Sequence, residues 1–306
     1  MVKKITKWTL GSMASLLVIF LIYGTIKQYS YDSKVKKEYP PTGNFSDIGQ
    51  NKVHYKYSGE GEVTFILISG LGESMHTWSS IEDELAKRGR VFMYDRSGLG
   101  HSEEGILPRS VDNSAVELKK VLENEKIPGP FILIGHSAGG FIARYYAKKY
   151  PNNVLGLFLI DPYQGDVAKA EGAQASLGYK MMNWSFRNMS WSGIPYYLLP
   201  QPPHPTYKTS KAIKTYGSEA NVEDISLEQF SKFDNEGGAL PLYLLKADNK
   251  KAKLNEVQNK WSKAVFNKYN NGKNKYIRLE SGHHIHIEKP EKVLDALDEF
   301  VSKLLD

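Results

Sequence analysis

Apolar runs alternate with segments of helical period from Asn51 to the end of the chain. Several of these runs are apolar throughout instead of alternating with polar residues, which is typical of parallel strands covered on both faces. The runs predict strands at 52–57, 63–69, 90–95, 131–135, 155–161, 242–247 and 275–280. Strand and helix in alternation predict an α/β fold with a doubly wound, mostly parallel sheet.

Two of the predicted helices have clear starting points. Asp112 or Asn113 can cap a helix whose apolar face would consist of Ala115, Leu118 and Leu122. Pro290 can begin a final helix, because proline is well tolerated at the first helical position. The inward positions of that helix would be Val293, Leu294, Leu297, Val301 and Leu304.

The N-terminal segment holds the longest apolar run. Thr9 to Ile26 comprises about 18 uncharged residues and follows three lysines. A helix of that length reaches about 27 Å, close to the thickness of a bilayer core. No small-x-small cleavage site follows the run, so we favour an uncleaved membrane anchor over a signal peptide. The short lysine-bearing tail is most easily retained in the cytoplasm, which predicts a single-pass protein of the cell membrane with its bulk outside.

Breaks in the pattern predict the domain organisation. No convincing apolar strand lies between Tyr163 and Ala239, so this insertion should be a mostly helical cap, whose aromatic residues form its own core or contact a substrate. Turn-forming residues around Pro40 predict a linker. We expect a membrane segment at 1–30, a linker at 31–44, a cap at 163–239 and an α/β core formed by 45–162 and 240–306.

Composition and charge exclude several classes of function. The 306 residues carry a formal charge of +6 from lysines that are scattered along the chain, without an arginine stripe or a nucleic-acid motif. We therefore expect no nucleic-acid partner and a basic, solvated surface with a weak preference for anionic lipid. The chain has no cysteine. Disulfides, a cysteine nucleophile and cysteine-ligated zinc are thereby excluded.

The motif "GHSAG" at 135–139 carries the clearest chemical signal. It fits G-x-S-x-G directly after the strand "FILIG" and directly before the helical segment "GFIARYYAKKY". The turn is so sharp that the residues two places before and after the serine must lack bulk, and Gly135 and Gly139 meet that need. The turn would project the Ser137 hydroxyl at a helix N-terminus. A nucleophilic serine is favoured over an ordinary glycine-rich turn.

Two further segments extend this pattern. "YDRSGLGHS" at 94–102 follows an early strand, and "SGHHIHIEKPE" at 281–291 precedes the last helix. Together with the serine motif, in this order, they resemble the α/β-hydrolase superfamily over about residues 45–306. The resemblance implies the α/β-hydrolase fold, with a cap inserted after its sixth core strand, here at 155–161. It also implies a triad of serine, acid and histidine in that chain order.

A serine hydroxyl needs a base within hydrogen-bond reach. The resemblance implies that this base is His283, which follows Gly282 after the last strand, with His284 and His286 as competitors. Metal binding by "HHIH" is disfavoured because no carboxylate-rich motif accompanies it, so we expect no metal and no cofactor. His136, inside the serine motif, should pack beneath the turn.

The acid departs from the commonest pattern of the superfamily. Most members carry it in the loop after the strand at 242–247, where Asp248 comes early and Lys250 stands near the usual place. Asp161 ends the preceding strand, a position that some members use, although an aspartate before proline is also a common turn former. We favour Asp161, which should be buried, over Asp248, whose lysine-rich loop should be solvated.

Acyl transfer also requires donors for the developing oxyanion. By resemblance these are the backbone N–H groups of Leu71 and Ala138, with Ser69 standing where the superfamily commonly has histidine. The sequence thus predicts a membrane-anchored serine hydrolase that cleaves small-molecule carboxylic esters through an acyl-serine. Peptidase, lactonase or amidase activity could use the same triad. The alternative class is a signalling protein that binds a small molecule on this fold and turns it over slowly or not at all.

Overall fold

The computed structural model describes residues 2–199, 204–233, 238–249 and 255–306, with side chains from Gly11 onward. The strands are β1 (Asn44–Asp47), β2 (Lys52–Ser58), β3 (Thr64–Ile68), β4 (Arg90–Tyr94), β5 (Phe131–His136), β6 (Val154–Ile160), β7 (Leu242–Ala247) and β8 (Lys275–Leu279). The helices before the insertion are α1 (Val2–Glu38), α2 (Glu82–Ala86), α3 (Val111–Asn124) and α4 (Ala138–Lys149). The later helices are α5 (Gly165–Ala170), α6 (Leu177–Met189), α7 (Ile194–Leu198), α8 (Ser210–Ala220), α9 (Glu223–Ser231), α10 (Asn255–Phe266), α11 (Ile285–Glu288) and α12 (Pro290–Leu305). Short three-ten helices occupy Met75–Trp78, Ser190–Ser192 and Pro205–Lys208.

The strands form one sheet in the order β1-β2-β4-β3-β5-β6-β7-β8. In this order, all neighbouring strands from β4 to β8 pair in parallel. The pairs β1–β2 and β2–β4 are antiparallel. This confirms the predicted α/β architecture with a mostly parallel sheet. The sequence analysis missed β1, because this short edge strand buries one of its four residues and so has no apolar run.

Helices cover both faces of the sheet, which explains the continuous apolar runs. On one face Leu133 of β5 packs with residues of α3 and α4, among them Leu118 and Phe141. On the other face Ile134 of β5 packs with Trp78, α2 and α12, including Phe300 of α12. Successive strand residues point to opposite faces, so a strand buried on both faces has apolar side chains at most of its positions.

The two helix starts have different outcomes. α12 begins at Pro290 as predicted, and it buries Val293, Leu294 and Leu297. The predicted cap of α3 is wrong, because the helix begins at Val111 and its N-cap residue is Ser110. Asp112 instead lies in the first turn, where it accepts a hydrogen bond of 2.7 Å from the Tyr145 hydroxyl.

The segment between β6 and β7 holds α5 to α9 and two three-ten helices, without a named strand among its described residues. Part of its proline-rich stretch, 200–203, lies outside the described residues. α1 continues to Glu38, so the part of the expected 31–44 linker up to that residue is helical. One reason is that Tyr31 and Asp32 are hydrogen-bonded to residues of the insertion. By length and composition, α1 could cross a membrane.

Candidate active site

Ser137 stands on the sharp turn from β5 into α4. Its φ of 50° and ψ of −121° lie in a region that non-glycine residues rarely adopt. A Cβ on Gly139 would come within 1.9 Å of the Ile68 carbonyl oxygen, and one on Gly135 within 2.6 Å of that of Gly139. Both positions therefore require glycine. The crowding of the turn against the end of β3 holds the serine in its unusual conformation.

Asp161, directly after β6, lies beside His283. Its Oδ2 is 2.5 Å from Nδ1 of His283, and Oδ1 accepts a hydrogen bond from the buried ammonium of Lys246 on β7. Burial by itself would raise the pKa of Asp161, but the hydrogen bond from His283 and the charge of Lys246 outweigh burial and lower that pKa. The carboxylate is thus ionised at neutral pH and orients the imidazole.

Ser137, Asp161, Lys246 and His283 line one cavity of about 320 Å³. The structure therefore brings the three residues predicted as a triad to the same site. Lys246 was missed by the sequence analysis. The signal was present, because a lysine inside the buried strand "LYLLKA" needs an anionic partner.

Asp248, the alternative acid, has other partners. It accepts hydrogen bonds from Asn255 at 2.8 Å and from Arg278 at 2.9 Å. It is half-buried, so the expectation of a solvated side chain is wrong, because these two donors hold the carboxylate against α10 and β8. Lys250, near the usual position of the acid, lies outside the described residues.

The two predicted oxyanion donors flank the serine. Leu71 and Ala138 line, together with Ser137, a second cavity of about 170 Å³, whose apolar walls include Phe141 and Leu227. Within the described part of the chain, neither the Leu71 nor the Ala138 N–H donates to a protein acceptor. Both donors therefore remain available to a ligand at this cavity.

The loop that carries Leu71 is held by a buried guanidinium. Arg96 donates to the Ser69 and Gly70 carbonyl oxygens at 2.6 and 2.8 Å, and it pairs with Glu219 of α8. The Ser69 hydroxyl accepts a hydrogen bond of 3.0 Å from the Trp78 indole. Arg96 lies in the segment "YDRSGLGHS", but its role was not evident from the sequence because Glu219 is far away in the chain.

A second buried carboxylate, Glu73, connects three loops of the site. Its Oε2 accepts a hydrogen bond of 2.9 Å from the Gly70 N–H and lies 3.0 Å from Nδ1 of His136. Its Oε1 lies 2.9 Å from Nε2 of His284. His136 Nε2 in turn contacts the His283 carbonyl oxygen at 3.1 Å. Glu73 thus joins the Leu71 loop, the serine turn and the histidine loop.

Glu73 and His136 each stabilise the charged form of the other. Burial would raise the pKa of Glu73, but the imidazolium of His136 outweighs burial and holds that pKa well below its ordinary value. For His136, burial would lower the pKa, and the Glu73 carboxylate reverses this effect and raises it. His286 lies beside the cluster with its Nε2 2.9 Å from the Thr77 hydroxyl, and burial lowers the pKa of His286.

Glu73, His136 and His284 are also residue types that can ligate a metal ion. One ligand atom from each lies within 4.8 Å of the other two, a separation that a divalent cation could bridge. The sequence analysis found no carboxylate partner for "HHIH" because Glu73 is remote in the chain. Hydrogen bonds among the three residues also explain their positions.

Comparisons with known proteins agree with this architecture. The sequence model of the alpha/beta hydrolase fold family matches residues 63–189. A (lyso)-N-acylphosphatidylethanolamine lipase of Bos taurus is 32% identical over 113 residues, which are 36% of this chain and 33% of the lipase. The chain spans less than half the length of the curated relatives that it matches.

Two solved structures share the fold. The Cif epoxide hydrolase from Acinetobacter nosocomialis superposes with a TM-score of 0.72 at 18% identity, over 90% of this chain and 96% of the hydrolase. A membrane phospholipase A described as a bacterial virulence factor superposes with a TM-score of 0.59 at 17% identity, over the full length of both chains.

We predict that Glu73→Gln lowers the free energy of unfolding by about 3–5 kcal/mol, because it leaves His136 buried without its anionic partner. Chemical denaturation followed by circular dichroism measures the change. Glu84→Gln is the matched control, since Glu84 forms exposed ion pairs with Lys87 and Arg88, and it should produce no resolvable change. Equal stability of Glu73→Gln and the wild type would contradict the linking role of Glu73.

Proposed function

We propose that this chain, which belongs to the α/β-hydrolase superfamily, is a serine hydrolase that cleaves carboxylic esters through an acyl-serine intermediate. The observation that carries the proposal is the 2.5 Å contact between Asp161 and His283 in the cavity that Ser137 lines. A serine thus shares one site with a histidine and an aspartate, the two residue types that activate its hydroxyl in a triad. Asp161 is the proposed acid, because Asp248 is held by Asn255 and Arg278.

In the proposed reaction the Ser137 oxygen attacks the ester carbonyl carbon while His283 accepts the hydroxyl proton. The negative charge that develops on the carbonyl oxygen is stabilised by the Leu71 and Ala138 N–H groups. Asp161 holds the imidazole in the required tautomer and stabilises the imidazolium. His283 then protonates the leaving alcohol. In the second half of the reaction His283 accepts a proton from a water molecule whose oxygen attacks the acyl carbonyl carbon. His283 then gives this proton to the Ser137 oxygen as the carboxylic acid leaves.

Ester cleavage fits this nucleophile better than epoxide opening, the chemistry named for one structural neighbour. A serine that opens an epoxide forms an ether, which water cleaves far less readily than an ester. A serine that attacks an ester forms a new ester, which the same base can hydrolyse. A hydroxyl on the turn therefore favours acyl transfer. Peptidase, lactonase and amidase activities remain within the same mechanism.

The second cavity favours an apolar acyl group as the substrate's acid portion. Its walls include Phe141, Ile142 and Leu227. Tyr163 and Tyr179, which belong to the segment 163–239, also line it. We propose that this segment is a cap that closes the site over Ser137, between core segments 45–162 and 240–306. The name of the lipase relative describes an enzyme that acts on a lipid, which supports a lipid-like ester as the substrate.

We further propose that α1 anchors the protein in the cell membrane, with the catalytic part outside. α1 is long and apolar enough to span a bilayer, and one full-length structural neighbour is a membrane phospholipase. The cluster of Lys3, Lys4 and Lys7 directly before the apolar run supports a cytoplasmic N-terminus. The proposed partners are thus an ester substrate and the bilayer.

Ser137→Ala should abolish hydrolysis of p-nitrophenyl esters, with a loss of about 10³-fold or more, while the fold is retained. Fluorophosphonate labelling of the wild type and its absence in the variant provide a second measurement. Turnover that survives the substitution would contradict the proposed nucleophile. A wild type that neither hydrolyses esters nor reacts with fluorophosphonate would favour the binding-protein alternative.

Asp161→Asn and Asp248→Asn distinguish the two candidate acids. The first should lower kcat by on the order of 10³–10⁴-fold, because the imidazole loses its orienting carboxylate. The second should change kcat by less than about tenfold, because Asp248 contacts Asn255 and Arg278 instead. Both variants are compared on one ester, with folding checked by circular dichroism. The reverse order of damage would assign the acid to Asp248.

The full-length protein should leave membranes in detergent but not in high salt, because an apolar helix of this length binds far more strongly than lysines bind lipid headgroups. Immunoblotting of membrane and soluble fractions measures release. Extraction by salt alone, or a mature N-terminus after residue 26, would contradict the anchor.

A further inference from the structure

The C-terminal half of α1 is packed tightly against the insertion. A Cβ on Gly24 would lie 2.1 Å from the Ser192 carbonyl oxygen, so the helix backbone touches the three-ten helix Ser190–Ser192. One turn later, the buried Gln28 donates to the Lys208 carbonyl oxygen at 3.0 Å. Tyr31 donates to the carbonyl oxygen of Pro205 at 2.9 Å. The helix and the insertion are therefore held in a fixed relation.

This contact lies at the level where the apolar run of α1 ends. Gly24 precedes Ile26, the last residue of the run, by roughly 3 Å along the helix axis. If the run fills the bilayer core, the backbone next to Ser192 lies at the boundary between hydrocarbon and headgroups. The insertion must then contact the membrane surface.

Large apolar side chains are exposed on the same part of the insertion. We define the apolar cap face as Leu177, Met181, Trp184, Trp191, Tyr197 and Leu198, each of which is at least half exposed. Its first three members recur at helical spacing on α6, opposite the buried Asn183 and Phe186. Trp191 and Tyr197 are sequence neighbours of Ser192 and Tyr196, which contact α1. Such an exposed patch indicates an interaction surface.

The charge of this segment fits a phospholipid surface. No aspartate or glutamate occurs between Glu171 and Glu219. The two charged residues of α6 are Lys180 and Arg187, and both are exposed. Aromatic and apolar side chains with basic neighbours and no acidic ones are typical of helices that lie in the interface of an anionic bilayer.

We propose that the apolar cap face inserts into the interface of the bilayer that α1 spans, and that the substrates are bilayer lipid esters. The substrate class rests on the proposed hydrolase function, whereas the insertion does not. α6 connects the two, because its residue Tyr179 lines the apolar cavity beside Ser137 while Met181 and Trp184 face outward. A lipid that enters under α6 reaches the serine without crossing water.

Fluorescence quenching tests the insertion independently of catalysis. The full-length Trp8→Phe protein is reconstituted in phosphatidylcholine and phosphatidylglycerol vesicles whose acyl chains are brominated. Bromine should quench Trp184 and Trp191, and further substitution of both by phenylalanine should remove most of the quenching. Of the two remaining tryptophans, Trp78 is buried in the core and Trp261 lies on α10, outside the insertion. Quenching that does not depend on Trp184 and Trp191 would overturn the proposal.

Kinetics test the substrate class in the same vesicles. Relative to wild type, Trp184→Ser/Trp191→Ser/Tyr197→Ser should lower hydrolysis of an embedded phospholipid by about tenfold or more. Hydrolysis of soluble p-nitrophenyl butyrate should stay within about twofold. The control Tyr57→Ser/Leu305→Ser, at exposed apolar positions outside the insertion, should leave both rates unchanged.

An equal loss on both substrates, or no loss on the phospholipid, would overturn delivery of lipid by the apolar cap face. If the wild type cleaves neither substrate, the proposed hydrolase function fails. The quenching experiment then still decides whether the apolar cap face inserts into the bilayer.

Discussion

The arrangement of the site depends on one backbone constraint, the sharp turn between β5 and α4. Gly139 of α4 packs against the Ile68 carbonyl at the end of β3, so the first turn of the helix cannot move away from the sheet. The strained conformation of Ser137 follows from this contact, since the chain must reverse within one residue. The Leu71 loop begins at the same end of β3. The candidate nucleophile and the candidate oxyanion donors are therefore positioned by a single crowded contact.

Buried ion pairs then fix the loops around this turn. Asp161 is paired with Lys246, Arg96 with Glu219, and Glu73 with His136, and in each pair the two residues lie far apart in the chain. A buried charge without a partner costs several kcal/mol, so each pair restricts the loops that carry it to geometries that keep the partners together. The three ion pairs therefore fix the positions of these loops relative to one another.

The sequence predicts well what depends on local pattern. Seven of the eight described strands are predicted, most of them as apolar runs, and the serine motif is visible because strand, glycines and helix follow within a few residues. The choice of Asp161 followed from the expected burial of a strand end, and the structure places this carboxylate beside His283. What the sequence could not show are partners that only the fold brings together. Glu73 lies in "GLGES" without any local sign that it meets His136 and His284, and β1 is too short to produce a pattern.

The relation between α1 and the insertion adds a constraint of another kind. A membrane anchor joined by a flexible linker would leave the rest of the chain free to tumble above the bilayer, whereas backbone contact at Gly24 and the hydrogen bond from Gln28 prevent this motion. The same segment that contacts α1 contributes Tyr179 and Glu219 to the cavity beside Ser137. Glu219 is in turn paired with Arg96, which holds the Leu71 loop. A chain of direct contacts thus runs from the proposed membrane helix through the insertion to the candidate oxyanion donors, so the orientation of the site relative to the bilayer is set by packing.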